Sequence, residues 1–144
     1  MRFDIITIFP ESIELYFQSS MLRAAQTKKL IFVCLHNLRT WGLGVHKKVD
    51  DRPYAGGPGM VFTLEPLIKA LASLKLKKKT LVVLFSPTGK QFTSKIAEDF
   101  AKKEKQIVMI AGHYEGIDER IKKLIHDSGF RFQELSIGSY VLTG

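Results

Sequence analysis

Residues 107–111 (IVMIA) form an apolar run of strand length that breaks directly into a glycine-bearing turn, 112–120 (GHYEGIDER), and the same grammar occurs twice more. LVVLF at 81–85 runs into SPTG, and 136–144 reads SIGSYVLTG. Strands that are apolar throughout are covered on both faces, as parallel strands are. Helical spacing fills the intervals: Leu64, Leu67, Ile68 and Leu71; Phe92, Ile96 and Phe100; Ile117, Ile121, Leu124 and Ile125. This alternation predicts an α/β fold, a mostly parallel sheet with helices on both faces, whose ligands gather beyond the carboxyl ends of its strands. Three glycine-bearing loops then converge on one crevice.

The amino-terminal part fits the same plan. Residues 3–9 alternate and are rich in isoleucine, a strand stopped by Pro10. Ser12 is expected to cap a helix carrying Ile13, Tyr16, Phe17, Met21 and Ala24, and residues 30–35 return to strand composition. Periodicity fails between Asn37 and Phe62, where a long polar stretch rich in glycine reads as a functional or disordered loop.

A chain of 144 residues is the size of one ordinary domain. No apolar stretch approaches the roughly 18–20 residues of a membrane helix, and the start MRFDIITIFPE lacks the pattern of a secretory signal, so a cytoplasmic home is expected. The lone Cys34 cannot form an internal disulfide and is expected to be a buried, inert thiol. A formal charge of +8 comes largely from lysine clusters at 75–79 and 102–105. Such an excess favours polyanion partners, although solvated helix ends carry similar runs.

Several familiar chemistries are absent. SPTGK at 86–90 lacks the first glycine and the spacing of a phosphate-binding loop, and no G-x-G-x-x-G is present. His36, His46, His113 and His126 have no metal-ligand spacing with Cys34, and no catalytic triad is supported. The string VDDRPYAGGPGM at 49–60 is the most specific in the chain. Its glycines let backbone amides approach a ligand or a second subunit. Asp50, Asp51 and Arg52 fit either polar-substrate contacts or an ordinary loop ion-pair network. Trp41 and Tyr54 fit either base stacking or packing.

VDDRPYAGGPGM, FSPTGK, AGHYEGIDER and SIGSYVLTG, in this order and at these separations, resemble the bacterial tRNA (guanine-N1)-methyltransferases of the TrmD type. The likeness runs from FDIITIFPE to Gly144. It implies an S-adenosylmethionine-dependent methyltransferase domain of the SPOUT class, with a deep trefoil knot, working as a homodimer with each active site at the subunit interface. The implied product is tRNA methylated at N1 of guanosine-37, beside the anticodon. By the family's pattern, cofactor contacts come from Phe85, Ser86 and Pro87, from Gly112, Tyr114, Glu115 and Gly116, and from Ile137, Gly138, Ser139, Tyr140, Val141 and Leu142. Asp50, Arg52, Tyr54, Gly57 and Gly59 match the part that closes over the target nucleotide.

The family's catalytic carboxylate and arginine are expected beyond Gly144, as are the helix threaded through the knot and the tRNA-binding carboxy-terminal domain. Residues 1–144 are therefore expected to be a truncated, cofactor-binding amino-terminal domain with an incomplete knot and little or no turnover. Two positions depart from the pattern: His113, where arginine is common, and Ser139, where an acid is usual. Neither the residues nor the resemblance settles a magnesium requirement, because Glu115 and Asp118 read equally as polar-loop carboxylates. The competing reading is a non-catalytic RNA-binding or dimerisation module, favoured by the basic charge.

Overall fold

A computed structural model describes residues 1–53, 56, 59–113 and 116–140. The expected contacts of Tyr54, Gly57, Tyr114, Glu115, Val141 and Leu142 lie outside the described residues, as does the end of the third loop, which bears on the knot.

Five strands form one parallel sheet in the order β2, β1, β6, β5, β7. They are β1 (Arg2–Thr7), β2 (Phe32–Asn37), β5 (Leu81–Gln91), β6 (Gln106–Ile110) and β7 (Arg131–Ser136). Two short strands, β3 (Asp50–Asp51) and β4 (Val61–Phe62), pair separately as an antiparallel hairpin. The helices are α1 (Pro10–Phe17), α2 (Ser20–Thr27), α3 (Leu64–Ser73), α4 (Ser94–Lys103) and α5 (Arg120–Asp127).

The register explains why the strand sequences are apolar throughout. Ile6, Val82, Leu84, Val108 and Ile110 face one layer, where they meet Leu67, Ala70 and Leu71 of α3 and Ile121 and Ile125 of α5. Leu81, Val83, Ile107 and Leu135 face the other, where Ile96 and Phe100 of α4 cover them. The inner strands β5 and β6 thus bury both of their faces, as parallel strands do. α4 starts at Thr93, whose hydroxyl accepts from the Ile96 N–H at 3.4 Å, and ends on Lys102 and Lys103, which oppose the helix dipole favourably.

Four expectations need correction. The first helix begins at Pro10, not behind a Ser12 cap; Ser12 N–H bonds the Phe9 carbonyl, and Pro10 occupies the first position that needs no N–H. It also stops at Phe17, because Ser19 is extended and Ser20 takes a φ of 45°. The single helical face read through Tyr16 and Met21 is consequently two short helices, and those two side chains are 70% and 83% exposed. Cys34 is only half-buried, because β2 is an edge strand.

The fourth correction concerns the disordered alternative for 37–62, which its described residues do not bear out. Leu38, Val49 and Phe62 are fully buried in the α3/α5 layer, and Trp41 packs against it. A 3-10 turn over Leu38–Trp41, with Asn37 Oδ1 accepting from the Arg39 N–H, and paired bonds between Leu43 and Lys48 occupy the backbone between these anchors. Spaced at irregular intervals, the anchors leave no periodic signature.

β1 carries a buried carboxylate that its alternation did not reveal. Asp4 has no exposed side-chain surface and accepts four bonds: from Arg2 Nε and a terminal Arg2 nitrogen, from His36 Nε2 and from Gln106 Nε2, each at 2.8 Å. Burial alone would raise its pKa, but the hydrogen bonds from Arg2, Gln106 and His36 hold it down to about 2.

Candidate functional site

The connections after β1 and β6 leave toward opposite faces of the sheet, the kind of switch point at which open α/β sheets bind ligands. The carboxyl ends of β5, β6 and β7 deliver the three sequence-predicted loops beside it. β6 lies between β1 and β5, and β5 pairs with β7, so the loops after β5 are flanked by the other two.

The first loop is an excursion within a strand. β5 leaves register after Phe85, which pairs with Leu135, and re-enters at Lys90, which faces Leu135 again. Ser86, Pro87, Thr88 and Gly89 thus bulge out of the ladder. Gly89 lets this happen: a Cβ there would stand 2.6 Å from the backbone C and N of Leu135. Ser86 Oγ lies 2.9 Å from Thr88 Oγ1 and accepts the Thr88 N–H at 3.3 Å, closing the bulge on itself.

The second loop begins where the Ala111 N–H bonds the Ile6 carbonyl at 3.0 Å. Gly112 is exposed, and a Cβ built on it would make only ordinary contacts, 3.6 Å from Ile117 Cδ1 and 3.9 Å from the Phe85 carbonyl oxygen. Among the described residues nothing requires glycine at 112, whereas Gly116 has a φ of 149° and does. His113 packs edge-on against Phe9, ring centres 5.2 Å apart, tying this loop to the end of β1. Asp118 is held by Arg120, whose Nε bonds it at 2.9 Å, and this contact chiefly keeps its pKa low.

The third loop turns immediately after β7. Ser136 is buried; its hydroxyl donates to the Gly138 carbonyl at 2.8 Å and accepts the Gly138 N–H at 3.3 Å. This leaves Ile137 and Tyr140 displayed at 52% and 55% exposure, with Ser139 also exposed.

The 50–60 segment is joined to this group through backbone. β3 and β4 pair Asp50 with Phe62 and Asp51 with Val61, placing Arg52 and Gly59 in the loop between them. Phe62 then pairs in parallel with Ile117 of the second loop. Asp50 is half-buried, whereas Arg52 and Gly59 are exposed. Asp51 binds Lys48 Nζ at 3.0 Å, a contact that together with the Arg52 N–H keeps its pKa low. Asp51 is thus engaged by Lys48 and by the backbone of Arg52; among the described residues no contact brings Asp51 or Arg52 to the three loops.

Sequence reasoning missed Glu134. It projects from β7 toward the first loop, accepting from Thr88 Oγ1 at 3.0 Å and pairing with Lys122 of α5 at 2.8 Å. The strand 131–136 reads RFQELS, with Arg131, Gln133 and Glu134 outnumbering its apolar residues, which hid it, and only its continuation into SIGSY marked a strand end.

The lysine clusters lie at the other end of the molecule. Lys77, Lys78 and Lys79 precede β5, Lys105 precedes β6, and Lys28 and Lys29 precede β2, all exposed at the amino ends of the parallel strands. They lie at the opposite ends of the strands from the three loops. No helix among the described residues is long and apolar enough to cross a membrane.

Known sequences carry the same pattern throughout. The profile of the family described as tRNA (Guanine-1)-methyltransferase TrmD matches residues 1–144. The tRNA (guanine-N(1)-)-methyltransferase of Dictyoglomus turgidum is 47% identical over 144 residues, covering 100% of this chain and 56% of the relative. The proteins of that name from Clostridium novyi, 42% identical over 144 residues, and Staphylococcus carnosus, 43% identical over 145, likewise cover 100% of this chain and 56% of their own length. The chain thus spans about half the length of the curated relatives it matches. With one profile spanning all 144 residues and the loop-bearing parallel sheet that its motifs predict, the chain belongs to the tRNA (guanine-1)-methyltransferase TrmD family.

Proposed function

We propose that this chain is the cofactor-binding half of a tRNA (guanine-N1)-methyltransferase that modifies guanosine-37, and that it works in the cytoplasm as a homodimer. The observation that carries the reading is the convergence of the three loops on adjoining strand ends, with the 50–60 hairpin bridged to the second loop at Phe62 and Ile117.

The residues present suit S-adenosylmethionine. The exposed Gly112 lacks a side chain that the fold has no need to exclude, which leaves its backbone open to a ligand beside the Phe85 carbonyl. Exposed Ile137 and Tyr140 offer apolar surface to an adenine, and Ser86 offers a hydroxyl to polar groups. Phe85, Ser86 and Pro87, Gly112 and Gly116, and Ile137, Gly138, Ser139 and Tyr140 are the described residues assigned to this cofactor. Tyr114, Glu115, Val141 and Leu142 complete the assignment. Asp50, Arg52, Tyr54, Gly57 and Gly59 are assigned to the target nucleotide.

When bound, S-adenosylmethionine supplies an electrophilic methyl group on a sulfonium. The chain's part is alignment, the principal requirement of an in-line displacement. Guanine N1 carries a proton that a base must remove. The carboxylates of Asp4, Asp51, Asp118 and Glu134 are each engaged by a cationic side chain, so none of them is assigned that role.

Calorimetric titration of the purified chain with S-adenosylmethionine tests the reading. Saturable binding that Gly112→Ala weakens supports it. Salt-dependent tRNA binding by a folded chain that takes up no S-adenosylmethionine would replace it with the RNA-binding module.

A further inference from the structure

We propose that Glu134 is a positioning residue that fixes the three candidate cofactor loops relative to one another; the inference rests on the cofactor site proposed above. One oxygen, Oε1, accepts the Thr88 hydroxyl proton at 3.0 Å at the tip of the first loop. The other, Oε2, lies 2.8 Å from Lys122 Nζ, in the first turn of the helix that follows the second loop. Two residues further along its own strand, Ser136 folds the third loop through both polar groups of Gly138. A single carboxylate therefore touches or carries all three.

An exposed ion pair would contribute little and could be dismissed. This one is sheltered: Glu134 is 20% and Lys122 30% exposed, and Lys122 is further held by Glu119 at 2.5 Å. Burial pushes the Glu134 carboxyl up, yet Lys122 and the Ser86 and Thr88 hydroxyls keep it ionised below its ordinary range. The contacts also set the polarity of the first loop. Thr88 spends its only hydroxyl proton on Glu134, so the 2.9 Å contact between Ser86 and Thr88 has Ser86 as donor. The Ser86 proton is thus used within the cluster. With one lone pair already accepting the Thr88 N–H, Ser86 offers a ligand one acceptor position and no proton, the complement of a ribose hydroxyl or an ammonium group.

The test uses the 144-residue chain with Glu134→Gln, Thr88→Val and Lys122→Met, beside the conservative Thr88→Ser and Lys122→Arg. Two quantities are read: the Kd for S-adenosylmethionine and, in its absence, hydrogen exchange at the Thr88 and Gly138 amides. Both amides are bonded to hydroxyls of the cluster or its strand. The three disruptive variants are expected to weaken binding about tenfold, the worth of one hydrogen bond to a charged group, and to speed exchange at Thr88. Thr88→Ser and Lys122→Arg are expected to stay within about threefold of the parent, which a mere filling of space would not achieve for serine. Unchanged affinity and exchange in Glu134→Gln, or Thr88→Ser as weak as Thr88→Val, would overturn the inference. A parent chain that binds no S-adenosylmethionine refutes the function proposed above; exchange then decides alone, and unchanged Thr88 exchange in Glu134→Gln overturns the positioning role.

Discussion

Phe62 brackets Ile117: its N–H donates to the Gly116 carbonyl and its own carbonyl accepts the Asp118 N–H, both at 3.0 Å. The buried ring of Phe62 sits in the core below while its backbone holds the second loop above. The hairpin assigned to the nucleotide and the loop assigned to the cofactor thereby move as one piece.

Truncating that ring should loosen both. Phe62→Ala is expected to cost about 3–5 kcal/mol, the usual range for a buried phenylalanine. Phe62→Leu should retain most of the stability. Urea unfolding gives the cost, and amide exchange at Asp118 should accelerate in the alanine variant by more than global destabilisation accounts for.

Two glycines separate folding from binding. Gly89→Ala places a Cβ against the Leu135 backbone and should destabilise the chain by about 2 kcal/mol or more, comparable to other overpacked sites. Gly112→Ala meets only ordinary contacts and should leave stability within about 1 kcal/mol, while weakening S-adenosylmethionine binding by about tenfold or more. Denaturant midpoints and calorimetric titrations of the two variants, run side by side, check the contrast.

Acid should expose the worth of Asp4. Its pKa is lowered from 3.8 to about 2 on folding, so it binds a proton more readily when unfolded. Its stabilisation, about 2 kcal/mol, is fully present well above pH 3.8 and is lost as the pH falls through about 2. Asp4→Asn should remove this part of the acid dependence and cost about 3 kcal/mol near neutrality, since four donor groups from three side chains then face an amide. Urea titrations of both chains between about pH 2 and pH 7 measure the difference.

The lysines at the amino ends should be silent toward the cofactor. Changing Lys77, Lys78 and Lys79 to glutamine lowers the formal charge from +8 to +5, because three positive groups are removed. The strand from 79 to 85 spans roughly 20 Å, more than twice the Debye length of about 8 Å in physiological salt. The Kd for S-adenosylmethionine should stay within about twofold, while retention on a heparin column falls.

What the sequence disclosed followed from physical regularity. The apolar runs at 81–85 and 107–111 and the stripes through Leu67, Ile96 and Ile121 repeat at the spacing their faces demand, and the sheet and its covering helices follow from them. The loop motifs marked the ends of β5, β6 and β7 because an apolar run that breaks into glycine and polar residues is the local signature of a strand terminus. Asp4 stayed hidden because its partners, His36 and Gln106, arrive from strands distant in the chain. The bulge at 86–89 looked like a free loop because re-pairing of Lys90 with Leu135 depends on a partner strand, not on local composition. Glu134 was lost for the same reason: a charged residue in a short strand carries no mark of what it will meet.

The pairing of β1 with β6 joins Asp4 to Gln106 across 102 positions of sequence. A ribosome making this chain releases β1 well before its inner neighbour, which begins only at Gln106 of 144 residues. The central ladder cannot zip up as synthesis proceeds; it must close a very long loop, the slow kind of step in folding. Until then the Asp4 carboxylate is solvated, and any premature neighbour for β1 that lacks a donor opposite it would have to bury that charge bare. Gln106 is one of the donors this buried carboxylate needs, so the pairing of β1 with β6 supplies part of what makes the burial of Asp4 tolerable.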